Sequence, residues 1–215
     1  MAISYPLDIL ADFPGWTTEF DLGWRQERSR TAGGRTIVKD LGNPIWRLAA
    51  QSRPLSANEM DYWRARLQAL ENGLQTFYGR SMSRCYPILY PNGSWPTGGS
   101  FDGTATLATI NDNRKAITVS DLPSGFQFSV GDYLAIGNDL HQVVEAATAS
   151  SGTTPEFEVR PHIWLGVEAG GSPATAITVL KPSCLMSIVP DSVSSTADPQ
   201  TGRGAVSFRA EEVRS

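Results

Sequence analysis

One stretch of this chain has the 3.6-residue periodicity of an amphipathic helix, and this single stretch most constrains the fold. Ser56-Ala-Asn-Glu59 has the pattern of a capping box, which predicts that a helix begins at Ser56. Apolar residues follow in steps of three and four and form a candidate core stripe: Met60, Trp63, Leu67 and Leu70. Because Gly73 supplies a stop signal, the pattern predicts one helix over 56–72 that packs this stripe against a sheet.

The rest of the chain has the β-branched runs and turn residues that are typical of strands. Segments 24–30 and 35–41 flank Ala32-Gly33-Gly34, which predicts a β-hairpin. The other predicted strands lie at 44–50, 74–78, 84–90, 116–119, 132–136, 140–144, 156–160, 176–180, 184–189 and 204–210. The fold class that follows is mainly β with one amphipathic α-helix.

The distribution of charge and of linker-type residues (Gly, Pro and Ser) divides the chain into two predicted domains. Residues 91–180 carry 3 basic and 9 acidic side chains, whereas residues 1–90 carry 11 and 9. The acidic segment opens with a Gly/Pro/Ser-rich stretch at 91–100, and similar residues close it. We therefore expect 1–90 plus 181–215 to form one discontinuous β domain, with 91–180 inserted as a small β-barrel-like domain of about five strands.

Composition excludes several classes of protein. The net charge of −4 argues against a generally basic nucleic-acid binder. No run of about 18 apolar residues is present, so no membrane insertion is expected, and the N-terminus lacks a secretory signal pattern, which predicts synthesis in the cytoplasm. Cys85 and Cys184 have no metal-ligand spacing, and the sequence leaves open whether they are paired or are two reduced thiols.

No catalytic pattern emerges, so the chain is not expected to be an enzyme or to need a cofactor or metal. His141 and His162 lie outside any metal-binding motif, and neither a nucleophile elbow nor a phosphate-binding loop is present. Seven of the nine carboxylates of the middle segment are candidates for a catalytic pair, but spacing alone selects none: Asp102, Asp112, Asp121, Asp132, Asp139, Glu156 and Glu158. Glu156 and Glu158 share one strand face, as on an ordinary solvated sheet.

Basic side chains concentrate at the predicted first hairpin. The four arginines concerned are Arg25, Arg28, Arg30 and Arg35, with Glu27 among them. The surrounding segment has a net charge of only +2, which is weak for a nucleic-acid interface. A subunit contact and a charged edge that resists aggregation fit this hairpin equally well.

The order of these features resembles the distal tail protein family of bacteriophages with long, non-contractile tails. The resemblance covers most of residues 45–190, and its motifs are structural. They are the helix segment 54–73, Thr76-Phe-Tyr78, and the strand segments 122–126, 130–137, 140–144 and 157–161.

The resemblance implies a ring-forming β-sandwich or split-barrel domain with one helix and an attached second β domain. It also implies a structural component of the virion tail, made in the host cytoplasm, that assembles as a cyclic homo-oligomer, typically a hexamer. The expected partners are the tail tube protein and the tail hub or tip proteins, with DNA only as passing cargo. The acidic balance is consistent with a DNA conduit, because a basic lining would bind phosphates.

A carbohydrate-binding module for host recognition is the alternative function. Aromatic side chains in the middle segment would stack on sugar rings in that case. The candidates are Trp95, Phe126, Tyr133 and Trp164.

Overall fold

The computed structural model describes residues 3–96, 100–170 and 175–214. Its α-helix, α1, spans Ala57–Gln68, and the Glu59 carboxylate accepts hydrogen bonds from the Ser56 N–H and hydroxyl, both at 2.8 Å. The helix ends four residues earlier than predicted. Glu71 and Asn72 adopt φ of 50° and 53°, so the chain turns through a short 3-10 helix at Glu71–Gly73.

Sixteen strands account for most of the remaining regular structure among the described residues. In chain order they are β1 Gly15–Gly23, β2 Gln26–Arg30, β3 Thr36–Asp40, β4 Ile45–Ser52, β5 Thr76–Gly79, β6 Thr104–Ile110, β7 Ala116–Ser120, β8 Gln127–Phe128, β9 Tyr133–Ile136, β10 Asp139–Val143, β11 Ala147–Thr148, β12 Phe157–Arg160, β13 Ala176–Thr178, β14 Cys184–Ile188, β15 Ser194–Ala197 and β16 Gly204–Glu212. The predicted strand at 84–90 is wrong, because those residues form turns that lead into a 3-10 helix at Pro91–Gly93.

The first sheet has six antiparallel strands. Its order is β1-β4-β16-β14-β5, and β15 pairs with the N-terminal half of β16 beside β14. Alternation along β4 buries Trp46, Leu48 and Ala50 on one face, as the sequence pattern predicts. The helix packs on this buried face, where Phe13 lies between Trp63 and Phe208.

The acidic middle segment contains a closed barrel. Its six strands follow the order β10-β12-β7-β6-β13-β9, one strand more than the sequence predicts. Closure leaves no open sheet edge within the barrel, and the two-stranded pair β8 and β11 supplements it. The fold is thus mainly β, with one α-helix in the described part, a closed barrel and several sheets.

Two hydrophobic clusters fill the molecule. The first lies between α1 and the six-stranded sheet and contains the whole predicted stripe, whose members are 0–4% exposed: Met60, Trp63, Leu67 and Leu70. The second fills the barrel and also takes in Tyr90 and Trp95. Ala135 and Leu140 belong to barrel strands but contribute to the first cluster, so the two parts share a packed boundary.

Candidate assembly surface

Residues 26–40 form a two-stranded hairpin, here called the arm. Strands β2 and β3 pair from Gln26 opposite Asp40 to Arg30 opposite Thr36, and neither pairs with another strand. Every residue of the arm is exposed. An isolated two-stranded hairpin is at best marginally stable in water, so this arm lacks the packing partner that such an element needs.

The two faces of the arm differ in chemistry. Arg28 lies opposite Val38 and Arg30 opposite Thr36, so one face combines two guanidinium groups with an apolar side chain. The other face carries Ile37 opposite Ser29 and Lys39 opposite Glu27. Val38 is 57% exposed and Ile37 48%, which is unusual for β-branched residues in a strand.

The base of the arm continues this exposed surface. The Leu41 N–H donates to the Arg25 carbonyl at 2.8 Å, and Trp24 and Leu41 are about half exposed. Of the four predicted arginines, three lie on the arm and Arg25 lies at its base: Arg28, Arg30 and Arg35 are the three. Within the described ranges, none of them forms an ion pair.

A second unpartnered feature is the open edge of β1. This nine-residue strand pairs with β4 on one side, and its opposite edge forms no ladder in the part of the chain that the structure describes. Glu19 and Asp21 are exposed on this strand and share one face. A long open edge offers unpaired N–H and C=O groups to any strand that approaches it.

A groove separates the β1 edge from the barrel. It consists of two adjoining cavities of about 450 and 530 Å³ that share Phe20, Asp21, Tyr133 and Gln142 as lining residues. The Phe20 ring stacks on Trp46 at 5.0 Å, and Trp46 lies 5.6 Å from Tyr133. Burial, with a smaller effect of Asp21, raises the pKa of the Tyr133 hydroxyl. Sequence patterns could not identify this groove, because its walls come from β1 and from the barrel.

The four predicted sugar-stacking aromatics do not form one platform. Phe126 is fully buried, and Trp95 is 9% exposed beside Tyr90, so both belong to the barrel core. Tyr133 lines the groove, whereas Trp164 is 40% exposed and contacts the Arg214 guanidinium at 5.2 Å. The expectation that Trp95 and Phe126 present faces to a ligand is therefore wrong in this conformation.

A buried polar cluster lies where the sheet meets the barrel. Arg214 pairs with Glu212 at 3.2 Å and donates to the Pro44 carbonyl at 3.2 Å. Glu212 also accepts the Trp46 N–H at 3.0 Å, while burial raises the pKa values of Glu212 and Asp139. In sequence, Glu212 and Arg214 lie beyond the predicted strand at 204–210, and no local pattern marks them as members of a buried cluster.

The two histidines differ in exposure, because His141 is buried and His162 is partly exposed. The His141 ring is 1% exposed, and its Nδ1 lies 2.8 Å from the Pro161 carbonyl. Burial lowers the pKa of His141 to about 4, and the pKa of His162 is lowered by the same cause. The burial of His141 and its contact with a backbone carbonyl are typical of a histidine that packs in the interior.

The remaining candidate carboxylates and the two cysteines do not come together in one site. Glu158 pairs with Arg160 at 2.6 Å, and Glu156 accepts a hydrogen bond from Asn111 at 3.2 Å. Cys85 and Cys184 are free thiols, and burial raises the pKa of Cys184 well above its usual value. Over residues 3–96, 100–170 and 175–214, no group of three or more His, Cys, Asp or Glu residues is arranged to hold a metal ion.

Within those same ranges, no helix combines the length and the apolar character needed to cross a membrane. No protein-family model matches the chain, and no curated protein shows significant sequence similarity to it.

Proposed function

We propose that this chain is a structural subunit of the distal end of a bacteriophage tail, where copies of it form a ring between the tail tube and the tip. The arm is the single observation that supports this most strongly. Its strands bury nothing against their own chain, yet they expose Ile37 and Val38 beside four arginines. Such an element gains stability when a neighbouring subunit covers it.

The positions of the unpartnered surfaces favour a cyclic assembly. The arm and the open β1 edge are different surfaces, so a one-way contact between them is heterologous, whereas reciprocal exchange of arms would give a closed dimer. Heterologous contacts generate a ring when the rotation closes and a filament when it does not. If a neighbouring subunit pairs with β1, this long edge strand is also covered and can no longer promote aggregation.

The charge distribution fits a conduit for DNA. The barrel segment carries 9 acidic and 3 basic residues, and 4 of the 11 basic residues of the N-terminal part lie on the arm. In the proposed ring, the arm lies in subunit contacts, and carboxylates outnumber Lys and Arg on the channel-facing surface. DNA phosphates would then pass without being held.

Mass measurement of the purified protein by light scattering is the first experiment. We expect a small fixed multiple of the single-chain mass, and a cyclic arrangement at one axial level when intact particles are imaged. Replacing residues 26–40 with a short Gly-Ser turn should give single chains with an unchanged far-UV circular dichroism core signal. A wild-type protein that stays monomeric at all concentrations, or that occurs singly on peripheral fibres, would contradict the proposal.

A further inference from the structure

We infer that the occupant of the β1 edge is the arm of a second copy, with β2 added antiparallel or parallel as the next strand of the sheet. This inference rests on the proposed function and names the two surfaces that meet. It concerns strand addition, in which main-chain hydrogen bonds supply affinity and side chains supply register. β1 and β2 each pair with one neighbouring strand in the described structure, so each keeps a free edge.

Backbone N–H and C=O groups along the free strand edges are the first feature that favours this pairing, because no neighbouring strand of the described structure covers them. β2 pairs only with β3, so its outer edge is free, and β1 pairs only with β4. The groove beside β1 contains two adjoining cavities of about 450 and 530 Å³, which leave open volume next to this strand although the Tyr133 ring packs on Phe20 at 6.2 Å.

The charged side chains indicate which strand of the arm pairs with β1 and which faces of the two strands are aligned. Glu19 and Asp21 are two residues apart on one face of β1, and Arg28 and Arg30 are two residues apart on one face of β2. Opposite charges placed directly across paired strands stabilise the pairing, whereas like charges destabilise it. Arg47 lies opposite Asp21 on β4 but pairs with Glu211 at 3.1 Å, so Asp21 keeps its charge available.

The apolar argument accounts for the exposed side chains. When Arg28 and Arg30 lie on the same face of the extended sheet as Glu19 and Asp21, the opposite face of the arm carries Ile37 on the side of Phe20 and Leu22. Phe20 and Leu22 alternate with the β1 carboxylates and are half buried along the groove. Within one chain, β1 leads into the arm through Trp24 and Arg25 without pairing to it, so the contact is assigned to a second copy.

Charge exchange tests the inference. R28E/R30E should abolish the oligomer seen for the wild type by light scattering, and E19R/D21R should do the same. The four substitutions combined should restore the oligomer, because opposite charges again face each other. R35E/R203E is the matched control: it makes the same charge change at two exposed arginines outside β1 and β2 and should leave the mass unchanged.

Each outcome separates this inference from the proposed function. If R28E/R30E keeps the wild-type mass, or if the combined variant stays monomeric although it is folded, the arm does not pair with β1. If the wild type itself is monomeric, the proposed ring fails as well. Hydrogen exchange of the wild type adds a measurement that needs no variant: amides of β1 and β2 should exchange at least tenfold more slowly in the oligomer than after dilution to single chains, and equal rates would overturn the pairing.

Discussion

Trp63 joins the helix to the sheet through ring-edge contacts. Its ring meets Phe13 at 5.2 Å with an interplanar angle of 86°, and Phe13 meets Phe208 at 5.5 Å. Only 4% of Trp63 is exposed, whereas the adjacent Tyr62 is 51% exposed. Two neighbouring aromatic residues on one helix therefore have opposite roles, and this contrast supplies a matched pair for mutation.

We expect Trp63→Ala to lower the free energy of unfolding by about 3–5 kcal/mol, because it removes a large buried side chain and leaves a cavity. Tyr62→Ala should cost less than about 1 kcal/mol, because its ring already contacts solvent. Denaturant unfolding of both variants measures the difference. Equal losses would show that the stripe is not the core contact.

His141 makes stability depend on pH. Its folded pKa of about 4 lies below its usual value of 6.5, so the unfolded chain binds a proton first as the pH falls. The stability that depends on neutral His141 is therefore complete above pH 6.5 and is lost as the pH falls towards 4. By the size of the shift, the loss is about 3 kcal/mol.

His141→Asn isolates this contribution, because a neutral amide can still donate to the Pro161 carbonyl. We expect the wild-type free energy of unfolding to fall between pH 6.5 and 4 relative to that of the variant. The difference between the two proteins cancels most of the effects of other titrating groups, including Glu212 and His162. Parallel pH dependence would contradict the assignment.

Helix α1 depends on the cap at its first turn. The Glu59 carboxylate accepts from the Ser56 N–H and hydroxyl and contacts Arg53 at 2.7 Å, which together lower the pKa of Glu59 to about 2. A lowered carboxyl pKa contributes stability above pH 4.5 that is lost as the pH falls towards 2. The contacts of the helix cap therefore depend on a charged Glu59 side chain.

We expect Glu59→Gln to lower the melting temperature at pH 7 and to have progressively less effect as the pH falls from 4.5 to 2. Thermal unfolding followed by circular dichroism measures this change. Asp61→Asn is the control, since Asp61 lies on the same helix and makes only a 3.6 Å contact with Arg64. A pH-independent effect of Glu59→Gln would mean that charge does not matter at this cap.

The sheet and the barrel meet through a shared boundary. The Trp46 Nε1–H donates to the Leu140 carbonyl at 2.7 Å, and Ala135 and Leu140 pack in the first hydrophobic cluster. The chain enters and leaves the barrel segment at nearby points, because the Lys181 N–H donates to the Cys85 carbonyl at 2.7 Å. A short linker can therefore replace the barrel, but its removal also removes the Trp46–Leu140 hydrogen bond and the packing of Ala135 and Leu140, which lowers the stability of the remaining sheet.

We expect deletion of 95–178 with a short Gly-Ser bridge to leave a protein that unfolds cooperatively, but at lower denaturant concentration. Trp46→Phe should cost about 1–3 kcal/mol in the full chain, because it leaves the buried Leu140 carbonyl unpaired. The same substitution should cost less in the shortened protein, where that partner is absent. Loss of cooperative unfolding on deletion would mean that the two parts form one folding unit.

Local patterns in the sequence determined the elements. The helix stripe, the capping residues and the first hairpin follow from periodicity and turn chemistry, which act over only a few neighbouring residues. The same patterns misplaced the helix end, because Glu71 and Asn72 adopt positive φ in a turn that the apolar spacing does not reveal. They also predicted a strand at 84–90, where apolar and aromatic residues instead occupy turns.

Tertiary structure decided which elements meet. Phe126 and Trp95 are core residues rather than surface aromatics because the barrel closes around them, and closure depends on strands far apart in sequence. Glu212 and Arg214 become buried partners, and Tyr133 becomes a groove residue, only where the sheet packs on the barrel. The sequence by itself identified the helix and the strands with a clear local pattern, because that information lies in a few neighbouring residues. It did not identify five strands whose pattern is weak or whose length is short, namely β1, β6, β8, β11 and β15. The open β1 edge and the uncovered arm depend on which strands are left without a neighbour, and only the complete pairing of the chain decides that.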